Sequence, residues 1–240
     1  MPGKRIVFHI GGAYHPTAEQ AAAVAGWLGS NFVCTAYDGV QAFDALDDAD
    51  LLVVMGMHWP GMDEEPPGGL RYVPMQSAHR AAFERYVTSG RPLLAHHAAI
   101  FSYSDWPRFS DLLGFRWDWE TTSYAPVTEY DVQIKPTGHP ITQGVTHFTI
   151  EDELYVNIQV TPGFEPESHA AVHIRSERTV RGNGHRVTQE VPLVFTAEGG
   201  RGPGAGRLVY LANGHDMKAF ECPALRQLWI NAVRWLLQGR

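Results

Sequence analysis

Residues 93–106 read LLAHHAAIFSYSDW. An apolar run stops at two adjacent histidines, passes through Ala98 and Ala99, and enters an aromatic, amphipathic stretch. An apolar strand that ends abruptly before a small-residue helix start is the strand-to-helix turn of an α/β protein, which holds side chains at the carboxyl edge of a sheet. Many α/β enzymes place a nucleophile at that turn, whereas this chain places imidazoles there.

Working outward, the same alternation recurs on the amino-terminal side. RIVFHI (5–10) is a strand, GGAYHP a turn, and TAEQAAAVAGWLGS (17–30) a helix with Thr17 as its expected N-cap. FVCTAYD (32–38) is a second strand, VQAFDAL (40–46) a short helix, and DADLLVVMGMHWP (48–60) contains a third strand ending at Gly56. SAHRAAFERYVTSG (77–90) is an amphipathic helix closed by Gly90, and RPLLAHHA (91–98) is the fourth strand. Strands apolar on both faces and alternating with helices predict a doubly wound, mainly parallel sheet of flavodoxin-like α/β class.

After Trp106 the rhythm changes. Shorter β-leaning runs, broken by proline and glycine, predict a β-rich insertion or lid at about 115–190 that folds over the carboxyl edge. The polar stretch 175–190 is read as a mobile surface hairpin with its turn at 182–184. PLVFTAE (192–198) and GRLVYLANGHD (206–216) are late strands. A closing helix at 222–238 carries the apolar stripe Leu225, Leu228, Trp229, Ala232, Val233, Leu236 and Leu237. The 240 residues, 44% hydrophobic, are read as one domain over 1–240.

The totals narrow the function. A formal charge of −7 without a Lys/Arg cluster argues against nucleic acid or an anionic membrane as partner, and no apolar span reaches membrane length. The start MPGKRIVFHIGGAYHP lacks the apolar core and cleavage site of a signal peptide, so a cytoplasmic protein is expected. Cys34 and Cys222 are far apart without CxxC spacing, which is no basis for a disulfide framework or a cysteine zinc site. Neither GxGxxG nor GK[ST] occurs, so no nucleotide is expected.

Five histidines fall where strands end: His15, His58, His96, His97 and His215. In an open parallel sheet those ends converge on one crevice. Neutral imidazole is the commonest metal ligand and titrates near neutral pH, and three or four of them with a carboxylate make a catalytic metal site with an open position. The expected ligands of a divalent ion, zinc or manganese, are His58, His97 and His215 with His15. Side chains alternate along a strand, so only one of His96 and His97 faces the crevice, and His97 is taken as that one, with a catalytic role. Among Asp152, Glu153 and Asp216, the preferred proton carrier is Glu153, because DELY projects a carboxylate from an apolar stretch. Gly12, Trp59, Tyr155 and Asp216 are the expected substrate contacts, with aromatic faces suited to sugar C–H surfaces. His79, His139, His147, His169, His173 and His185 are read as surface or structural.

GGAYHPT, DLLVVMGMHWP, LLAHHAAIFSYSDWPRFSDLLG, GHPITQGVTHFTIEDELY and GRLVYLANGHD, in that order and spacing, resemble the ThuA-like (trehalose utilisation) family, whose fold is that of the class I glutamine amidotransferases. The resemblance covers nearly the whole chain. It implies a flavodoxin-like sheet and a link to sugar catabolism, with a small-molecule sugar as partner. It also implies a cysteine in a G-x-C-x-G elbow if the chain were a glutaminase, and LLAHHAA has none. The leading expectation is a metal-assisted isomerase, epimerase or lyase acting on a sugar or keto-sugar. The alternatives are a metal-independent sugar hydrolase and a non-catalytic sugar- or partner-binding domain. The aromatic stretch 100–119 would serve a homo-oligomer as well as a lid.

Overall fold

The computed structural model describes residues 3–64, 70–173, 190–198, 204 and 206–239. The amino-terminal half alternates as its apolar runs predict: β1 (Lys4–Ile10), α1 (Thr17–Leu28), β2 (Phe32–Asp38), α2 (Gln41–Asp44), β3 (Leu51–Val54), α3 (Ser77–Thr88) and β4 (Leu93–His96). There follow α4 (Arg108–Leu113), β5 (Phe115–Arg116), β6 (Ser123–Ile134), β7 (Phe148–Val156), β8 (Gln159–Val160), β9 (Glu167–His173), β10 (Glu190–Ala197), β11 (Leu208–Leu211), α5 (Met217–Phe220) and α6 (Pro223–Leu237).

Among the described residues, nine strands form one mixed sheet in the order β2-β1-β3-β4-β11-β10-β9-β6-β7. The first five are mutually parallel and the rest add antiparallel. β3, β4 and β11 are buried at every residue, as strands covered on both faces must be, whereas edge strand β2 is mostly accessible. Helices α1, α5 and α6 pack together as one layer and α2, α3 and α4 as the other. The predicted stripe of α6 is buried throughout, with Trp229 fully enclosed. No helix among the described residues is long and apolar enough to cross a membrane.

Two local details differ from the sequence reading. Helix α1 begins at Thr17 itself, and Thr17 Oγ1 accepts from the Gly11 N–H at 2.7 Å, so the hydroxyl ties the turn to the helix instead of capping it. Strand β4 stops at His96, and His97 opens a one-turn 3₁₀ helix, His97–Phe101. The hairpin expected at 175–190 lies outside the described residues apart from Glu190, which opens β10.

The β-rich segment positions the site. β6 pairs with β7 from Ser123 to Val132 but meets β9 only through Val132–Ile134, so most of this ribbon continues past the sheet. Its β7 arm arrives over the carboxyl edge, where Asp152 Oδ2 accepts from the Gly214 N–H at 2.8 Å, just beyond β11.

Candidate metal centre

Three turns and one strand meet there. His15 comes from the turn after β1, His97 from the turn after β4, His215 from the turn after β11, and Glu153 from β7. One potential ligand atom from each of the four lies within 4.8 Å of all the others. His97 Nε2 and His215 Nδ1 are each 3.3 Å from the same Glu153 Oε2. The His15 ring centroid is 5.0 Å from that of His97 and 4.8 Å from that of His215.

The backbone fixes how two of these rings are presented. His15 Nδ1–H donates to the Ala13 carbonyl at 3.0 Å, and His97 Nδ1–H donates to the Ala212 carbonyl at 2.7 Å. A carbonyl can only accept, so the neutral form of each ring carries its proton on Nδ1 and keeps the lone pair on Nε2. His15 Nε2, His97 Nε2 and His215 Nδ1 are buried, and apart from the 3.3 Å approaches of His97 and His215 to Glu153 they meet no polar partner among the described residues. Buried nitrogens left bare are costly unless something else satisfies them. Imidazoles held by a backbone carbonyl at one nitrogen and bare at the other are arranged as metal ligands are. The geometry has a conformational cost as well, because His97 at φ 41° and Tyr14 at φ 65° occupy left-handed backbone that residues with a side chain seldom adopt.

Electrostatics separates the roles. Burial, then the neighbouring His97 and His215, push His15 down to about 3, so its imidazole is neutral at physiological pH. Burial pushes the Glu153 carboxyl up, but the His215 and His97 nitrogens outweigh it and hold it at about 2, so it is ionised. For His215 burial also works against the charged form, yet Glu153, with Asp152 and Asp216 behind it, leaves the imidazole raised.

A cavity of about 360 Å³ opens above these groups, within the usual range of small-molecule sites. His15, Glu153 and His215 contribute to its lining, and Trp59, Phe101, Trp117, Trp119, Tyr124 and Tyr155 supply aromatic wall. Among the described residues no Lys or Arg lines it. Tyr155 also stacks on His97, with centroids 4.1 Å apart at 17°.

Of the expected site residues, His15, His97, His215 and Glu153 come together, and Trp59 and Tyr155 line the cavity. His58 does not join them. Its N–H donates to Ser102 Oγ and its carbonyl accepts from the Tyr103 N–H, which fixes the loop and leaves the ring against His9 and Tyr103. There His58 Nε2–H donates to the Ile10 carbonyl at 2.9 Å, with Asp38 at 3.6 Å. Asp216 caps α5 through its Oδ1 and does not line the cavity. Gly12 is a backbone crossing instead of a ligand contact: at φ 85° it bridges to Met57, and a Cβ there would sit 2.0 Å from the Met57 carbonyl oxygen. Gly12→Ala is expected to lose more than about 2 kcal/mol, from about 1–2 for left-handed backbone plus the clash, or roughly 4–8 °C in Tm. Calorimetry checks this, with the folded fraction keeping its site composition.

The opening pair of histidines divides its labour. His97 faces the cluster, while fully enclosed His96 turns the other way and donates from Nε2–H to the Asn213 carbonyl at 2.9 Å. Sequence reasoning missed Gln20, whose amide donates to the Gly214 carbonyl at 2.9 Å. A lone glutamine in an alanine-rich helix carries no signal for a contact 194 residues away.

Residues 6–236 match the ThuA family, described as trehalose utilisation. The chain belongs to the ThuA family. Its structure is similar to a ThuA-like protein from Parabacteroides merdae (17% identity, TM-score 0.74, covering 99% of this chain and 91% of that one). A ThuA-like protein from Bacteroides uniformis is also similar (20%, TM-score 0.69, 99% and 92%). A glutamine amidotransferase from Thermotoga maritima shares the fold at 8% identity, with TM-score 0.52 over 100% of both chains. At such identities these likenesses establish the amidotransferase-like, flavodoxin-like α/β fold and nothing about chemistry. No curated protein matches the chain. In this ThuA chain the strand-to-helix turn after β4 carries His97, while Cys34 lies on β2 and Cys222 precedes α6.

Proposed function

We propose that the protein is a divalent-metal enzyme of sugar metabolism that moves a proton on a sugar or keto-sugar. The observation that carries the reading is the convergence of three buried imidazole nitrogens and one ionised carboxylate at the floor of an aromatic cavity. His15, His97 and His215 would hold the ion, and three imidazoles suit zinc, with manganese the alternative favoured by an added carboxylate. Such an ion polarises a carbonyl or binds adjacent hydroxyls. Glu153, ionised and reaching the same point, takes the proton from the neighbouring carbon and returns it, giving isomerisation or epimerisation, or elimination when a leaving group departs. Tyr155 and the tryptophans pack against the sugar's C–H face and exclude water.

The test is elemental analysis of the purified protein with turnover on a panel of keto-sugars. About one equivalent of zinc or manganese is expected. Glu153→Gln is expected to keep that metal and lose turnover by about 10²–10⁴, the usual worth of a positioned acid–base group. If Glu153→Gln loses the metal as well, Glu153 is a fourth ligand and the proton carrier lies elsewhere. A wild-type protein that takes up no zinc or manganese sinks the metal reading and leaves the Glu153–histidine pair as a metal-free acid–base couple.

A further inference from the structure

The turn that carries His215 is held by side chains at nearly every polar backbone atom. The Ala212 carbonyl accepts from His97 Nδ1–H and the Asn213 carbonyl from His96 Nε2–H. The Gly214 and His215 carbonyls accept from the Gln20 amide at 2.9 and 3.3 Å. Their N–H groups donate to the two oxygens of one carboxylate, Gly214 to Asp152 Oδ2 at 2.8 Å and His215 to Asp152 Oδ1 at 2.9 Å. The Asn213 amide donates to Asp152 Oδ2 at 3.2 Å and to the Tyr130 hydroxyl at 2.9 Å, and that hydroxyl is itself 3.4 Å from Asp152 Oδ2.

Asp152 is fully buried, and no cation is paired with it among the described residues. Its acceptors are met by main-chain and side-chain donors alone. Adjacent residues on a strand point to opposite faces, so one step of β7 sends Glu153 to the cluster and Asp152 behind the turn that delivers His215. A short turn with Gly214 at φ 111° has little rigidity of its own, and a Cβ at Gly214 would lie 2.5 Å from His96 Nε2.

We infer that Asp152 is a positioning residue: with Gln20 on the opposite side, it clamps the 212–215 turn so that His215 stands in ligand position before any ion arrives. It touches neither the cavity nor the four clustered atoms and acts through His215. A donor-only network around an acceptor-only group makes the role specific to a carboxylate. Asn at 152 would turn an NH₂ toward an N–H group and lose one of the two main-chain contacts. Loss of an outer partner of a metal ligand costs 10–100-fold in affinity.

The inference rests on the proposed metal centre only for its affinity arm, and the experiment keeps the two apart. Amide exchange of the segment containing Gly214 and His215 is measured on metal-free wild type, Asp152→Asn and Gln20→Met. Zinc affinity is then measured by chelator competition well below the unfolding temperature. Asp152→Asn is expected to speed exchange in that segment alone and to weaken zinc about 10–100-fold, and Gln20→Met to do both by about tenfold. A lowered Tm with exchange and zinc affinity within twofold of wild type overturns the inference, because it marks a merely structural contact. Should Asp152→Asn fail to fold, Gln20→Met decides on the same two readouts. Should wild type bind no zinc, the metal reading fails while the exchange arm still upholds or overturns the clamp.

Discussion

Replacing His97 is expected to leave the protein without bound metal and turnover at background. Its Nδ1 is committed to the Ala212 carbonyl, its ring lies against Tyr155, and its Nε2 points to the atom cluster, so no neighbour stands ready to substitute. Removing an outer partner of a metal ligand costs about 10–100-fold, and removing the ligand itself costs more, which takes occupancy below detection at micromolar metal. Alanine adds a complication, because position 97 sits at φ 41°, where most residues other than glycine are strained and asparagine is tolerated better. His97→Asn is therefore the informative variant: it keeps the turn and loses the ligand. His58→Ala is the counterpart and is expected to keep full occupancy, since His58 is bound to the Ile10 carbonyl outside the cluster. Loss of metal in His58→Ala would return His58 to the ligand set expected from sequence, and metal near one equivalent in His97→Asn would remove His97 from the centre.

That contrast shows what a sequence can and cannot reveal here. The alternation of apolar runs with amphipathic helices made the parallel half legible, because strands such as LLVV and the stripe of α6 are apolar for one reason, burial. Strand ends were legible too, and with them the general place of the site. Which histidine at a strand end enters the site was not, because it depends on how each loop leaves the sheet. His58 and Trp59 are neighbours, yet Ser102 and Tyr103 grip the backbone at 58 and only Trp59 reaches the cavity. The choice of Glu153 over Asp152 followed from a carboxylate projecting out of an apolar stretch, but the work of Asp152 had no such signal. Its partners on the 213–215 turn lie 61 to 63 residues away, and a buried carboxylate serving main-chain amides has no local spacing to betray it. Gly12 illustrates the opposite error. Glycine beside a strand end permits close approach, and what approaches is the Met57 backbone.

The metal-free protein is expected to unfold on mild acidification, and the histidines decide the direction. Burial lowers His9 and His96 well below 6.5, drives His15 to about 3 and His169 to about 4, and lowers His58 as well. In the unfolded chain each would titrate near 6.5, so as pH falls below that value the unfolded state binds protons that the folded state refuses. Stability is then lost by about 1.4 kcal/mol per pH unit for each such histidine. Several acting together offset a sizeable part of a folding free energy of about 5–15 kcal/mol. His215 and Glu153 do not rescue the fold in this window. The raised His215 contributes fully below 6.5 and loses its contribution only as pH rises through its folded value. The depressed Glu153 contributes above about 4.5 and loses only as pH falls toward 2. Circular-dichroism melts between pH 8 and pH 5 should show Tm falling steeply below pH 6.5, with loss of fold near pH 5, and a flat profile would mean the buried imidazoles accept protons in place. Zinc sharpens the test, because binding it requires an unprotonated His215 and releases the proton held there. The zinc-induced rise in Tm is therefore expected to be largest above neutral pH and to shrink toward pH 6, and a rise independent of pH would place the ion away from His215.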